Sequence, residues 1–268
     1  IFTQNLRSLT NHIHLAELVK EHTEEPSFRE QWQTERSMIE GETCYDILED
    51  WIAAQCNPYQ VLRLLCLQSL CAGGIKSGRY DTIRNQIVQV YGYEFMFVLN
   101  DLEKVGLIRR RETIWVDTSS SFNTLRKSLT LINAEVDTVE PDDIAYVSSG
   151  YAPLTVRLVQ TAIRGWFGKD EVVKELQGRL IDITQHMPPE DLGTSMKRGA
   201  VGNLRSFAKS VVSTSSKKPT MIVMYLGGVS YMEISALRFL SRHPTFPYHI
   251  VTVTTKIING STLLQSLG

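Results

Sequence analysis

Apolar side chains recur at intervals of three and four residues along the first part of the chain, from residue 1 to about 140. This spacing places them on one face of an α-helix, so we predict that this part of the chain is helical. Pro58 favours a helix start, because a helix needs no N–H group at its first position, and Gly73 and Gly74 favour the end of the same helix. The pattern therefore indicates an α-helical domain over residues 1–140.

The spacing of the apolar residues changes in the last part of the chain. Residues 220–228 and 247–255 are apolar or β-branched runs, and each precedes a segment with the period of an amphipathic helix. Continuous runs of this kind are typical of parallel strands that are buried on both faces. Strand, helix and strand in this order form a right-handed βαβ unit. We therefore predict part of a parallel α/β sheet, whose remaining strands come from residues 144–148 or from sequence outside this chain.

Two other segments of this region carry predictions of their own. A helix is expected to start near Pro153, after a polar turn with Glu140, Asp142 and Asp143, where carboxylates usually cap a helix or face water. Residues 187–220 are polar, rich in glycine and serine, and locally basic, which is typical of a long loop or mobile insertion. The predicted domains are thus residues 1–140 and residues 141–268, with the insertion inside the second.

The composition is that of a globular protein that buries a core. Of the 268 residues, 43% are hydrophobic and 21% are charged. The 28 Lys and Arg residues against 29 Asp and Glu give a net charge of -1, which provides no overall field to attract nucleic acid or an anionic membrane. The longest apolar runs fall short of the roughly 20 residues of a membrane span. Because the chain begins without an initiator Met or a signal-peptide pattern, we expect a piece of a longer protein.

The cysteines, histidines and serines form no recognisable catalytic or metal pattern. Cys44, Cys56, Cys66 and Cys71 match neither a zinc motif nor a dense disulfide framework, so reduced thiols in the cytoplasm are expected. Cys66 lies in a run with helical period, which favours core packing over a nucleophile. The sequence contains no HExxH or GxSxG motif. We therefore predict no enzyme, no metal site and no cofactor.

Gly227 and Gly228 follow a predicted strand and precede a predicted helix, which is where a phosphate loop would lie. Neither of the glycine-rich phosphate motifs is present, and Tyr231 and Met232 crowd the place that an anion would enter. Ser230 and Glu233 instead have the S-x-x-E spacing of a helix capping box. We predict a structural turn, and an enzyme that holds a mononucleotide here stays as a remote alternative.

Residues 82–115 have the layout of a winged-helix module, with a helix ending near Gly92, a second helix and then a basic strand. The alternative is an ordinary helical hairpin. A DNA-binding module would need a basic recognition helix, whereas the second helix here is acidic and aromatic. The basic stripe at residues 109–111 is the best support for a nucleic-acid-binding or scaffolding protein, which we keep as the alternative function.

Large apolar side chains are crowded at the start of that second helix. They point to more than one side of it, and they are Tyr91, Tyr93, Phe95, Met96 and Phe97. Tyr and Met are enriched in the cores of protein interfaces. The crowding is thus explained either by packing inside the domain on all sides or by a docking surface.

Five segments together resemble the C-terminal part of the Sec1/Munc18-type regulators of SNARE proteins. The branch that they resemble serves the class C tethering complexes, HOPS and CORVET. The segments are "VLRLLCLQSLC", "YGYEFMFVLNDLEKVGLI", "DIAYVSSGYAPLTVRLVQ", "LGGVSYMEISALRFLSR" and "TTKIINGSTLL". They occur in the same order as in that family and span most of the chain, with residues 187–220 unmatched.

The resemblance implies an arch-shaped cytosolic protein of three domains that holds SNARE helices and uses no nucleotide. The fold class is then mixed: residues 1–140 are the later half of an inserted helical domain, and residues 141–268 are the returning part of a parallel α/β domain. The SNARE-templating hairpin lies outside this chain. Membrane contact at late endosome, lysosome or vacuole is expected only through the complex.

The partner that the resemblance implies is a helical-solenoid class C tethering subunit of the Vps16 type. We expect it to dock on the helical domain and on its junction with the α/β domain. The residues that we predict for this surface are Tyr93 and Met96, with Tyr91 and Arg84 as further members. No nucleic-acid partner is expected.

Overall fold

The computed structural model describes residues 2–111, 121–163, 172, 176, 181, 183 and 218–267. The chain divides into two compact units. The first, which we call the helical unit, comprises Ile1–Ser120 and Gly260–Gly268, and the second, the α/β unit, comprises Ser121–Asn259. The predicted boundary at residue 140 stays a prediction.

The helices that the structure describes are α1 Phe2–Glu24, α2 Pro26–Glu40, α3 Tyr45–Ala53, α4 Pro58–Ala72, α5 Ser77–Tyr91, α6 Phe95–Val105, α7 Ser121–Ser128, α8 Leu154–Ile163, α9 Tyr231–Arg242 and α10 Gly260–Gln265. The strands are β1 Ile75–Lys76, β2 Arg110–Arg111, β3 Thr220–Tyr225 and β4 His249–Thr254. A 3₁₀-helix spans Ile144–Ser148. No helix within the described ranges is long and apolar enough to cross a membrane.

Helix α4 is the centre of the helical unit. Asn57 caps it by accepting a hydrogen bond from the Tyr59 N–H at 3.0 Å, Pro58 is its first residue, and Gly73 ends it at φ 69° in the left-handed region. Both predicted ends of this helix are confirmed. Its apolar side chains are buried on several sides because α2, α3 and α10 all pack against it.

Cys66 lies in this buried surface, as predicted. Its side chain is almost fully buried, and burial raises the pKa of the thiol to about 12. The thiol is therefore protonated at neutral pH and acts as a small apolar side chain, because only a thiolate is a good nucleophile.

Helix α10 brings the last residues of the chain into the helical unit. Gly260, its first residue, lies against the side chain of Arg63 on α4. Leu264 is buried in the same core as the apolar side chains of α4. The core of the helical unit thus combines side chains from residues 38–108 with Leu264 near the end of the described chain.

The winged-helix interpretation is not confirmed. Helix α5 ends at Tyr91 before Gly92, and α6 and the basic strand β2 follow it as predicted. Strand β2, however, has only two residues, and it pairs in parallel with β1. Residues 112–120, where a wing would continue, lie outside the described residues.

The α/β unit contains the predicted βαβ arrangement. Strands β3 and β4 are parallel, in a register that pairs Ile222 with Val251, and α9 connects them along the chain. The side chains of Ala236, Leu237 and Leu240 on α9 pack into the same core as Ile250 of β4. The parallel α/β prediction is therefore confirmed for these elements.

The structure corrects one detail of that prediction for this chain and excludes one of the two alternatives for the remaining strands. The strands are not buried on both faces: Ile222 is 68% exposed and Met224 is 61% exposed, because the described elements cover only the other face of the sheet. Residues 144–148 do not add a strand, because they form the 3₁₀-helix that packs against α9. Of the predicted insertion, residues 187–217 lie outside the described residues.

A buried ion pair fixes the start of the α/β unit. Arg157 of α8 is 7% exposed and donates to the carboxylate of Asp143 at 2.8 Å and to the Thr130 carbonyl oxygen at 3.0 Å. Asp143 also caps the 3₁₀-helix, by accepting from the Ala145 N–H at 2.9 Å, and accepts from Asn133 at 3.2 Å. The predicted capping role of this polar turn is confirmed for Asp143.

The ion pair makes the stability of this unit depend on pH. Burial alone would raise the pKa of Asp143, but the hydrogen bonds and charge of Arg157 and the hydrogen bonds of Ala145 and Asn133 outweigh burial and lower this pKa. A carboxylate whose pKa is lower in the folded state stabilises the fold above its unfolded pKa of about 4. This stabilisation is lost as the pH falls through the folded pKa.

Asp143→Asn is expected to lower the free energy of unfolding by about 3 kcal/mol at neutral pH, because the variant leaves the buried Arg157 charge without a carboxylate. Thermal unfolding followed by circular dichroism from pH 7 to pH 2 should show a flatter acid dependence for this variant than for the wild type. Asp142→Asn is the matched control, since Asp142 is exposed. An equal acid dependence in all three proteins would contradict the assignment.

Leu264→Ala is expected to destabilise the helical unit by about 2–4 kcal/mol, because it removes buried methyl groups from the contact between α10 and α4. Denaturant unfolding can be followed by tryptophan fluorescence, since Trp51 packs against this core. Gln265→Ala, on the exposed side of the same helix, should leave the unfolding midpoint unchanged. A small effect of Leu264→Ala would show that α10 contributes little to the core.

Candidate docking surface

Helices α5 and α6 form a groove of about 570 Å³ on the helical unit. One face of α5 supplies five of its lining residues, at the spacing i, i+3, i+4, i+7 and i+8, and the turn before α6 and the first turn of α6 supply the other two. The lining residues are Asp81, Arg84, Asn85, Val88, Gln89, Tyr93 and Met96. We call this surface the α5–α6 groove.

The structure brings three of the predicted docking residues together in the groove: Arg84, Tyr93 and Met96. Tyr93 is 64% exposed. Its ring contacts that of Phe97 edge to face, with the centroids 6.3 Å apart, and Phe97 is 60% exposed. A large exposed aromatic pair beside a groove is the kind of feature that anchors a protein partner.

The crowded side chains divide between the core and the surface of the helical unit. Phe95 and Val98 pack against the helical core, where Leu99 is fully buried. Tyr93 and Phe97 point away from that core. The side of α6 that faces the core therefore fixes the orientation in which the other side is presented.

Tyr91 lies apart from the groove. Its ring packs against the helical core and lies 5.7 Å from the ring of Phe95, centroid to centroid. Its hydroxyl donates to the carbonyl oxygen of Cys56 at 2.7 Å, and burial raises the pKa of the phenol. The contacts of Tyr91 thus join the end of α5 to the loop before α4.

Asp81 and Arg84 are the charged residues that line the groove, and they differ in whether they form an ion pair. Asp81 pairs with Arg110 at 3.2 Å. The guanidinium of Arg84 donates to the Asn100 side-chain oxygen at 3.3 Å, a contact that links α5 to α6. Within the described part of the chain, Arg84 forms no ion pair.

Arg110 belongs to a network inside the helical unit. It pairs with Glu103 at 3.3 Å and lies over the ring of Tyr80, 4.7 Å from its centroid. The Tyr80 hydroxyl donates to the same carboxylate at 2.6 Å, and burial, followed by this bond to Glu103, raises the pKa of the phenol. The central residue of the basic stripe at 109–111 is thus neutralised by carboxylates, which removes the best support for the nucleic-acid alternative.

The glycine turn in the α/β unit is closed by its own side chains. The predicted capping box is confirmed: Glu233 accepts from the Ser230 N–H at 2.8 Å, and the Ser230 hydroxyl accepts from the Glu233 N–H at 3.3 Å. The Glu233 carboxylate also accepts from the Thr155 hydroxyl at 2.6 Å. A carboxylate therefore stands at the N-terminus of α9, where a phosphate would have to bind.

Gly228 is required by a close approach of the chain. Its φ is 150°, and a Cβ atom there would lie 2.7 Å from Cγ2 of Ile258. The turn thus brings the backbone against the segment that follows β4. Val229, just after the turn, forms a parallel bridge with Ile257 of that segment. The turn positions chain segments against each other, as the structural interpretation predicts.

Sequence reasoning missed several members of the groove. Asp81, Asn85, Val88 and Gln89 belong to it together with Arg84, which was predicted. Their signal was the helical spacing from Arg84, which marks one face of α5. No group of three metal-ligating side chains occurs within the residues that the structure describes.

Comparison with known proteins assigns the chain to a family. The model of the Sec1 family matches residues 1–266. The chain is 37% identical over 264 residues to "Vacuolar protein sorting-associated protein 33A" of Rattus norvegicus, covering 97% of this chain and 40% of that protein. It is 36% identical over 272 residues to "Vacuolar protein-sorting-associated protein 33 homolog" of Arabidopsis thaliana, covering 99% of this chain and 44% of that protein.

A more distant relative gives the same result. "Vacuolar protein sorting-associated protein 33" of Schizosaccharomyces pombe is 28% identical over 264 residues, covering 97% of this chain and 42% of that protein. The chain thus spans less than half the length of these relatives. Because the family model matches nearly the whole chain, the chain belongs to the Sec1 family.

Proposed function

We propose that the protein to which this chain belongs is a non-enzymatic regulator of SNARE assembly in vacuolar and endosomal protein sorting. It acts as a subunit of a class C tethering complex, HOPS or CORVET, at late endosome, lysosome or vacuole. The names of the relatives support the sorting role, since they are vacuolar protein sorting-associated proteins. Membrane association in this proposal is peripheral and occurs through the complex.

The part of that function that we assign to this chain is docking onto a helical-solenoid tethering subunit of the Vps16 type. The single observation that carries the assignment is the α5–α6 groove, which joins Arg84, Tyr93 and Met96 in one concave surface. A groove with an apolar end and exposed aromatic rings beside it suits an amphipathic helix. Tyr91 is left out of this surface, because its side chain packs on the helical core.

We also propose that residues 1–140 are the later half of an inserted helical domain and that residues 141–268 are the returning part of an α/β domain. The exposed sheet face supports this division. Ile222 and Met224 on β3 lie beside Val251 and Val253 on β4, and all four side chains are exposed. Apolar strands of this kind are normally covered on both faces in a parallel sheet, so further sequence of the full-length protein would cover this face.

Tyr93→Asp in the full-length protein is expected to abolish co-purification with the tethering subunit. Loss of a central tyrosine at an interface costs about 2 kcal/mol or more, which is roughly thirtyfold in affinity. The thermal unfolding midpoint should not change, because the Tyr93 side chain is 64% exposed. The affinity can be measured by titration calorimetry with the purified subunit.

Tyr231→Asp is the matched control for that experiment. Tyr231 is 70% exposed but belongs to the α/β unit, at the start of α9, where an acidic residue is favourable for the helix. This variant should bind the subunit like the wild type. The docking assignment fails if Tyr93→Asp binds equally well, or if both variants lose binding to the same extent.

Ile222→Asp tests the proposed division into domains. In the full-length protein it should lower the free energy of unfolding by more than about 1 kcal/mol, because a carboxylate would be buried at a covered face. In the chain described here the same substitution should have little effect, since the side chain is 68% exposed. Equal effects in the two proteins, measured by denaturant unfolding, would argue against a sheet completed from outside this chain.

A further inference from the structure

The last segment of the α/β unit is cationic, although the whole chain is nearly neutral. Residues 218–259 contain four Lys and Arg residues and one acidic residue, Glu233, whereas the net charge of the chain is -1. The Glu233 carboxylate is held at the start of α9 by Ser230 and Thr155. Arg242 lies nine residues further along the helix, about 14 Å along its axis, so Glu233 does not neutralise it.

One stripe of α9 faces solvent along the whole helix. Its members are exposed and recur at i, i+4, i+7 and i+11, which is the spacing of a single helix face. They are Tyr231, Ser235, Arg238 and Arg242, and we call this surface the α9 stripe. At 1.5 Å per residue the stripe is about 16 Å long. The opposite face of α9 packs into the core of the unit, so the fold directs the stripe outward.

Three cations meet at the C-terminal end of the α9 stripe. Arg238 and Arg242 are four residues apart and are therefore neighbours on the helix surface. The Lys218 ammonium donates to the His243 carbonyl oxygen at 2.9 Å, which holds this third cation beside the last turn of α9. Within the residues that the structure describes, no carboxylate pairs with Arg238 or Arg242. This end of the stripe thus presents positive charge that the described part of the unit does not neutralise.

The exposure of these side chains determines which anion they suit. An exposed cation gains little from a single small anion, because both charges stay hydrated. A protein partner usually needs a large apolar anchor at the centre of its interface, whereas Ser235 and Arg238 occupy the middle of the stripe. An anionic lipid surface presents many negative charges in one plane, so the contributions of separate cations add. Tyr231, at the other end, is 70% exposed and is of a residue type enriched at membrane interfaces.

We propose that the α9 stripe is a contact for an anionic membrane surface. Arg238, Arg242 and Lys218 lie against the lipid phosphates, and Tyr231 lies at the level of the headgroups. This contact goes beyond the docking function proposed above, because it belongs to the α/β unit and needs no protein partner. It is weak by itself, since three cations attract an anionic surface only at short range. Its role is to orient a protein that the complex has already brought to the membrane.

The experiment measures co-sedimentation of the full-length protein with phosphatidylcholine vesicles that contain about one third phosphatidylserine. The double variant Arg238→Gln, Arg242→Gln should lower the partition coefficient roughly thirtyfold, because each cation near an anionic surface contributes roughly fivefold. Binding of the wild type should fall as the salt concentration is raised, since salt screens the attraction. Vesicles of phosphatidylcholine alone should retain neither protein.

Two further double variants separate the charge of the stripe from other effects. Arg238→Lys, Arg242→Lys keeps both charges and should bind the anionic vesicles like the wild type. Arg29→Gln, Arg109→Gln removes the same charge from two exposed positions of the helical unit and should also bind like the wild type. All variants should keep the wild-type unfolding midpoint, because the substituted side chains are exposed.

The membrane contact is excluded if Arg238→Gln, Arg242→Gln binds the anionic vesicles like the wild type, or if either control variant loses binding to the same extent. Binding of the wild type to polyglutamate but not to vesicles would also overturn it, since the occupant would then be an acidic protein. Tyr93→Asp should bind the vesicles like the wild type. Loss of the docking function therefore leaves vesicle binding unchanged, and the two proposals fail separately.

Discussion

The burial of α4 is the constraint on which the rest of the helical unit depends. This helix is apolar on several sides, so a single partner helix cannot cover it, and α2, α3 and α10 each cover part of it. Strand β1 follows α4 directly and pairs with β2, which ties the ends of α4 and α6 together. The position of α5 and α6, and therefore of the groove between them, follows from this packing. The groove therefore depends on packing around α4, although α4 does not line it.

The groove itself combines two kinds of contact with different roles. Apolar contacts of Phe95 and Leu99 hold α6 on the core, whereas polar contacts set its position relative to α5. The bond from Tyr80 to Glu103 and the bond from Arg84 to Asn100 both cross from α5 to α6. A side chain that both links two helices and lines a surface can transmit occupancy of that surface to the helix pair.

Local signals in the sequence predicted the ends of elements well. Pro58 and Gly73 mark α4, and Ser230 and Glu233 close the start of α9, because caps depend on residues only a few positions apart. The exposure of Ile222 was not predictable in this way, since an apolar run does not show which elements will cover it. The 3₁₀-helix at Ile144–Ser148 is likewise determined by the cap of Asp143 and by packing against α9. It does not follow from a periodic spacing of apolar residues.

The candidate surface was partly predictable for the same reason. The crowding of large side chains around Tyr93 and Met96 made a surface one of two explanations, because one helix face cannot bury them all. The inward orientation of Tyr91 depends on the carbonyl of Cys56, a residue 35 positions earlier in the chain. A contact between residues so far apart in the chain produces no periodic residue pattern from which it could be predicted. The neutralisation of Asp81 by Arg110, across 29 positions, was hidden in the same way.

The place of α10 in the helical core has a consequence for the order in which the protein is made. Leu264 completes a core whose other fully buried members lie before residue 110, so the ribosome synthesises the described α/β unit before the helical unit can close. Until then, the side of α4 that α10 will cover is open to solvent and to other chains. Contacts between residues so distant in sequence form slowly. The described elements of the α/β unit all lie between Ser121 and Asn259, so their contacts with one another can form before α10 is synthesised.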